Sequence, residues 1–318
     1  MKTLSLPNLR AAFGDKLQEN VSLAAYTSAR IGGEADGLIV VHSADELAEA
    51  VSRLWELETP YLLLGGGSNV LISDAGFRGV VVLNKAKGIT FYEGDEPYVV
   101  AESGVTLSRL ANQAATKGLA GLEWAATVPG TVGGAVYGNA GAFGGDMAGN
   151  LLEAELLLSA GRMCWNVQEM AYAYRSSKLK RDAVNAVILS AELKLNNGDP
   201  AEIQERMRSF IQKRKETQPP GASMGSMFKN PEGDHAGRLI EAAGLKGTRI
   251  GNVEISTVHA NFFVNHGETK AKDVVALVEL AQKTVQEKFD IALELEIEVV
   301  DEFARSEATK QSPRIEIS

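Results

Sequence analysis

Glycine placement constrains this chain more than any other feature. Gly130, Gly133, Gly134, Gly138, Gly141, Gly144, Gly145 and Gly149 fall within twenty residues, and Gly65, Gly66 and Gly67 are consecutive. Glycine loses more conformational freedom on folding than any other residue. Such density is justified only where the backbone needs positive φ or an approach that a Cβ forbids. The first run, LGGGSN, leaves the apolar stretch Tyr61 to Leu64 and enters VLIS. Three glycines followed by Ser68 and Asn69 can aim successive N–H groups at an anion, a concavity that suits a pyrophosphate. A tight β-turn is an equally ordinary use of the same residues. The second run, GLEWAATVPGTVGGAVYGNAGAFGG, sets a fixed φ, a free φ and a hydroxyl side by side at Pro129, Gly130 and Thr131. Gly133 and Gly134 then offer close approach to a flat ring or a phosphate. A glycine-rich packing loop is the bland reading. Two such loops about 65 residues apart instead favour one large, extended, phosphate-bearing ligand held between two backbone walls. The familiar nucleotide fingerprints are missing: G-x-G-x-x-G would need glycine where Val70 stands, and no G-x-x-x-x-G-K-[ST] occurs.

Local patterns supply the elements around these loops. Residues 8–18 read as a short helix or arm, and GLIVV as a strand. Ser43 with Glu46 three positions on forms a capping-box signature that opens a helix running to about Leu57, stopped by Pro60. The first 84 residues therefore read β-α-β-loop-β. Val99 to Ala101 is a strand, Thr106 to Lys117 a helix ended by Gly118, and LLEAELLLSAG, MCWNVQ and NAVILSAELKL are strands. Asn197-Gly198-Asp199-Pro200 is strong punctuation, followed by a basic helix from Ala201 to about Glu216. The last third reads as a helix from Ala236, a strand Ala260 to Asn265, an amphipathic helix Asp273 to Phe289, and an alternating strand ALELEIEVV. The 318 residues allow one large domain or two to three smaller ones.

Composition removes several function classes. With 45% apolar and 23% charged residues the chain can bury a core, and a net charge of −9 disfavours nucleic acid and anionic membranes. The single cysteine, Cys164, excludes an intrachain disulfide and is most simply a buried small hydrophobe. His42, His235, His259 and His266 show no metal-ligand spacing, so no metal is expected. No apolar stretch is long enough to span a bilayer and no signal peptide is visible, so the expected location is the cytoplasm.

Several side chains have two readings. Ser223 and Ser226, in GASMGSMFKNP, are ordinary turn serines, and without G-x-S-x-G a hydrolase nucleophile is disfavoured. Arg175, in YAYRSS, is by default a solvated arginine. Glu294, Glu296 and Glu298 share one face of the alternating strand, by default a solvated acidic face. Lys213, Arg214 and Lys215 lie on a basic helix just before the Ser226 segment, suited to a diphosphate.

Seven segments occur in order: RIGGEAD, LLGGGSNVLISDAGFRG, GLEWAATVPGTVGGAVYGNAGAFGG, YAYRSS, GSMFKNP, AGRLIEAAGLKG and VHANFFVN. From about residue 20 to residue 300 the chain resembles the UDP-N-acetylenolpyruvoylglucosamine reductase (MurB) family of peptidoglycan synthesis. Only 50 positions separate Arg175 from Ser226, so it resembles the shorter subtype without the tyrosine-bearing loop. The resemblance implies an α+β chain with a two-part FAD-binding domain of the vanillyl-alcohol oxidase (PCMH) type and a smaller α+β substrate domain. It divides the chain into an N-terminal arm (1–19), the FAD domain (20–198), the substrate domain (199–302) and a polar tail (303–318). FAD is implied at Gly65, Gly66, Gly67, Ser68 and Asn69, and at Pro129, Gly130, Thr131, Gly133, Gly134 and Asn139. Arg214, Gln218, Lys229 and Asn230 are implied for substrate.

The implied chemistry is a hydride passed from NADPH through the flavin to the vinyl carbon of UDP-N-acetylglucosamine enolpyruvate, giving UDP-N-acetylmuramate. In it, Arg175 and an acid aligned on Phe289 at Glu296 stabilise the enolate, and Ser226 protonates the adjacent carbon. The chain departs from the family pattern at Asp290 and Ile297, and the repeated Leu-Glu step leaves Glu298 open as the acid. His259, in VHANF, reads as structural or as a support behind the site residues. No protein partner is implied. An FAD-dependent oxidase of the same fold and a non-catalytic nucleotide-sugar binding protein remain alternatives.

Overall fold

A computed structural model of the chain describes residues 5–300 and the backbone of Glu316–Ile317. Two five-stranded sheets form the first part. In the first, the order is Gln18–Ser22, Glu34–Val41, Phe77–Asn84, Tyr61–Leu64, Glu316–Ile317. Gln18–Ser22 pairs antiparallel and the remaining neighbours pair in parallel. Tyr61–Leu64 is buried at every position, as a parallel strand covered on both faces must be. The second sheet is wholly antiparallel, in the order Gly161–Asn166, Leu151–Leu158, Ala186–Lys194, Tyr98–Glu102, Ile89–Tyr92.

Helix Ala44–Glu56 lies between these sheets. Its Leu47, Val51 and Leu54 share one core with Ile39, Leu63 and Val82 of the first sheet and Leu157, Val187 and Leu189 of the second. The Ser43 hydroxyl accepts from the Glu46 N–H at 3.1 Å, capping the helix as its sequence predicts. The Glu46 carboxylate turns back to the N–H of His42 rather than of Ser43. On the far side of the second sheet, helices Leu107–Thr116 and Val132–Gly138 build another core with Trp124, Leu151 and Ile188.

The last third is a four-stranded antiparallel sheet, Ala222–Ser226, Phe262–Asn265, Val253–Ile255, Arg249–Ile250, covered by helices Ala236–Ala242 and Ala271–Phe289. Its core also takes in Ala29, Ile31 and Leu71 from the first part. Helix Ala271–Phe289 has no cap of its own. Asp74, in the DAGFRG turn, accepts from the N–H groups of Ala271 and Lys272 at 2.9 and 3.2 Å. The α+β character expected from the sequence is what the chain shows. No helix among the described residues is long and apolar enough to cross a membrane. Among them there is likewise no group of three or more His, Cys, Asp or Glu placed to hold a metal.

Two expectations need correction. ALELEIEVV is not one regular strand: only Glu298–Val300 forms a ladder, in parallel with Val70–Ile72. The preceding residues hang from separate anchors. The Lys229 N–H donates to Glu294 O and the Glu296 N–H to Met227 O, both at 2.9 Å, with a lone bridge between Phe228 and Leu295. Cys164 is exposed, because Gly161–Asn166 is a sheet edge with only one covered side. The residual burial of its thiol and the carboxylates of Glu153, Glu155 and Glu192 push its pKa up. Most of the polar tail (303–318) lies outside the described residues; within it, Glu316–Ile317 pairs with Leu63 and Leu64.

Candidate active site

The two glycine runs meet, for a reason the sequence did not reveal. A Cβ at Gly65 would stand 2.6 Å from the Thr131 hydroxyl oxygen, and one at Gly66 only 3.3 Å from the Gly130 Cα. Gly67 has φ +61, and a Cβ there would run into the Tyr26 carbonyl. Gly65 and Gly66 therefore let one loop lie against the other, while Gly67 packs on the Tyr26 segment. None of the three lines the adjoining cleft of about 350 Å³, which the first loop reaches through Ser68 and Asn69. Sites for small organic ligands typically span roughly 300–1,000 Å³.

Ser68, Asn69, Pro129, Gly130, Thr131 and Gly134 line that cleft, as do Arg175, Arg214, Gln218, Ser226 and Glu296. Side chains from segments 227 residues apart thus converge, and the link is direct: Asn69 Nδ2 donates to the Glu296 carbonyl at 3.1 Å. The Asn69 carbonyl also accepts from the Glu298 N–H at 2.9 Å. Asn69 lines the cleft while fastening the glycine loop to the acidic segment. Ser226 is presented by a bulge. Ser223 pairs with Val264 and Ser226 with Phe262, leaving one extra residue, and Gly225 there has φ +76. Bulges of this kind re-aim a side chain at the end of a strand.

Each glutamate of the alternating segment has its own cation. Glu294 is exposed and meets Lys229 at 3.0 Å, Glu298 meets Lys180 at 2.5 Å, and Glu296 meets Arg175 Nε at 2.9 Å. Of the three glutamates only Glu296 lines the cleft. The Arg175 Nε–H is not aimed at its oxygen, so this contact is an ion pair without an aligned hydrogen bond. A second guanidinium nitrogen of Arg175 donates to the Gly141 carbonyl at 3.1 Å. Burial pushes the Glu296 carboxyl above the ordinary carboxylate range, against the downward pull of Arg175, Lys180 and Lys229. Burial, and then the charge of Arg175, lower the pKa of Arg214.

Some residues singled out from sequence are placed elsewhere. Gly133 faces away from the cleft: a Cβ would meet Ser103 Cβ at 2.9 Å, so this glycine serves internal packing. Asn139 is buried, and its amide bonds only to protein backbone. Lys229 is turned to Glu294, and Asn230 Oδ1 accepts from the Ala236 N–H at 3.1 Å, tying down the start of helix Ala236–Ala242. His259 is a structural acceptor: its Nδ1 takes the Asn261 N–H at 3.2 Å, and burial lowers its pKa. Conversely, Lys180, Phe143 and Thr217 line the cleft and were not singled out. Lys180 stands five residues after Arg175 in a basic run, the one cue available. Phe143 stacks on Phe210 of helix Pro200–Thr217 at 4.4 Å, a pairing with no local signature.

The donor set fits a flavin dinucleotide. The two abutting loops offer backbone and the short polar side chains of Ser68, Asn69 and Thr131, and Lys180, Lys213 and Arg214 supply positive charge around the same cleft.

Comparison with known proteins agrees with this construction. A family model described as FAD binding domain matches residues 35–165, and one described as UDP-N-acetylenolpyruvoylglucosamine reductase, C-terminal domain, matches residues 215–300. The UDP-N-acetylenolpyruvoylglucosamine reductase of Chloroflexus aggregans is 42% identical over 289 residues, 89% of this chain and 97% of the relative. That of Bacillus subtilis is 41% identical, covering 90% and 94%. Among solved structures, the UDP-N-acetylenolpyruvylglucosamine reductase (MurB) from Thermus caldophilus is 38% identical with a TM-score of 0.75, covering 88% of this chain and 97% of that one. Identity at this level over nearly the full length of each relative leaves one assignment: the chain belongs to the UDP-N-acetylenolpyruvoylglucosamine reductase family.

Proposed function

We propose that the chain reduces UDP-N-acetylglucosamine enolpyruvate to UDP-N-acetylmuramate, with FAD in the cleft and NADPH as the source of hydride. One observation carries this reading: a serine, an arginine and a buried carboxyl from three distant segments converge on the cleft that the two glycine loops wall. In this reading residues 20–198 hold the cofactor, chiefly through Gly65–Asn69 and Pro129–Thr131 with Gly134, and residues 199–302 present the substrate. The bound flavin supplies the hydride that reduces the enolpyruvyl double bond.

The protein's own work is charge control and proton delivery. Arg175 places a fixed positive charge where enolate oxygen charge develops, the kind of preorganised stabilisation that dominates many such sites. A carboxyl with a raised pKa holds its proton nearer neutrality, so Glu296 can donate a hydrogen bond to the same oxygen. The Ser226 hydroxyl delivers a proton to the neighbouring carbon. Lys213, Arg214 and Gln218 face the substrate diphosphate from helix Pro200–Thr217 and the residue that follows it. A nucleotide-sugar substrate and a pyridine nucleotide donor are cytoplasmic metabolites, so this reading puts the activity in the cytoplasm.

An absorption spectrum of the purified protein tests the reading most directly. Flavin bands bleached by NADPH and restored by the enolpyruvyl substrate are expected. A colourless preparation would favour a binding protein, and rapid oxygen consumption in turnover would favour an oxidase. The loop geometry adds its own expectation. A Gly66→Val variant carries a Cβ into the space before Gly130, so the loops must part and the protein should purify folded but depleted of flavin. Full flavin content in that variant would remove the glycine loops from the cofactor site.

A further inference from the structure

Arg175 is held in a conformation that its own residue type disfavours. The segment Ala173–Ser176 closes as a tight turn, with the Ala173 N–H bonded to Ser176 O at 2.9 Å and the Ser176 N–H to Ala173 O at 3.1 Å. Arg175 occupies its third position with φ +52, where a glycine would sit without strain. A non-glycine residue in such a region persists only when its surroundings impose it.

The surroundings that impose it come from the second glycine run. Tyr137, Asn139 and Gly141 each grip the turn. The Ser177 hydroxyl donates to Tyr137 O at 2.6 Å, Asn139 Nδ2 donates to Ala173 O at 3.1 Å, and Arg175 donates to Gly141 O at 3.1 Å. In these bonds Tyr137 and Gly141 offer backbone carbonyls, and Asn139 acts through its side chain. Its amide grips the same carbonyl that closes the turn, while its Oδ1 accepts from the Ala148 N–H at 3.0 Å. It is itself left-handed, φ +49, at the end of helix Val132–Gly138. It is 7% exposed, and although Gly138 and Ala140 line the cleft, Asn139 does not.

We infer that Asn139 is a positioning residue for Arg175, clamping the strained turn that aims the guanidinium at the reacting group, and not a cofactor ligand. The inference rests on the proposed role of Arg175. It also makes the glycine run bifunctional: one edge walls the cleft and the other sets the catalytic arginine.

The test uses the FAD-loaded enzyme. Asn139→Gly keeps the left-handed backbone and removes the amide. Asn139→Asp keeps the acceptor for Ala148, and its side chain tolerates the same backbone region. Both should retain parental flavin content. Both should lose kcat, on the order of 10²-fold for a misplacement of about an ångström, with KM changed far less. In an Arg175→Ala background neither should cause a further loss, because residues that act through one another are not additive. The pH profile gives a second readout: a loosened Arg175 relaxes its downward pull on Glu296, so the Glu296-dependent limb should move to higher pH in either Asn139 variant. Loss of flavin in both backgrounds would make Asn139 a cofactor ligand and overturn the inference. Losses that add to that of Arg175→Ala would overturn it as a merely structural effect. Undiminished turnover in Arg175→Ala itself would sink the role of Arg175, and this inference with it.

Discussion

Ser226→Ala should keep its flavin, accept hydride from NADPH at close to the normal rate, and fail in the second half-reaction. The serine stands at the end of strand Ala222–Ser226, turned into the cleft by the bulge at Gly225. A hydroxyl that protonates carbon has no part in taking hydride from a nicotinamide. Its loss should appear only when the enolpyruvyl substrate is added. General acid catalysis typically contributes about 10²–10⁴-fold, and that is the expected slowing of flavin reoxidation by substrate. The substitution removes one oxygen from a half-buried position, so thermal stability should scarcely move. Rapid mixing separates the two half-reactions. Equal slowing of both would mean that Ser226 shapes a shared pocket. No slowing of either would shift proton delivery to Ser223 or to bound water. Gly225→Ala makes a useful companion: open space surrounds the added methyl, but φ +76 is strained for alanine, so the bulge should relax and carry Ser226 out of register.

Glu296→Gln is expected to slow substrate reduction by about 10²–10³-fold, the range seen when one group of an oxyanion-stabilising set is removed. The same change at Glu294 or Glu298 should have little effect. Glu294 is exposed against Lys229, and Glu298 is tied to Lys180 on the strand that pairs with Val70–Ile72. Comparable small effects at all three positions would return the segment to a solvated acidic face. The pH dependence has a definite sign. Burial raises the folded-state pKa of Glu296, so the protonated acid survives to higher pH than an ordinary carboxyl, and substrate reduction should fall as pH rises through that raised value. Glu296→Gln, which cannot ionise, should abolish that limb. By linkage, a group that binds its proton more tightly in the fold favours folding at low pH. This contribution is lost as pH rises through the folded pKa, so the parent should lose more stability than the variant on going alkaline. A limb that persists unchanged in Glu296→Gln would assign it to another group.

The sequence alone determined the elements whose causes are local. Ser43, Glu46 and Pro60 bound a helix because a cap and a stop act within a few residues, and helix Ala44–Glu56 lies where they put it. Asp199-Pro200 likewise opened helix Pro200–Thr217, with Asp199 Oδ1 accepting from the Ala201 N–H at 2.7 Å. The ordered motifs were specific enough to bring the family into view. What only the tertiary structure decided was which of several equivalent residues meets the cleft. Glu294, Glu296 and Glu298 are alike in spacing and neighbours, and the distinction arises because Asn69, 227 positions away, fastens the Glu296 backbone to the glycine loop. Gly133 and Gly134 are adjacent and chemically identical, yet one packs on Ser103 and the other lines the cleft. The resemblance implies Asn139 for the cofactor, and only the structure shows that its amide reaches a carbonyl 34 residues on. Cys164 read as a core residue because cysteine is usually buried, and a strand's position at a sheet edge is a property of the whole sheet. Capping and periodicity act over a few residues and are written in the chain. The aim of a side chain depends on partners brought together by packing, and no local pattern encodes those.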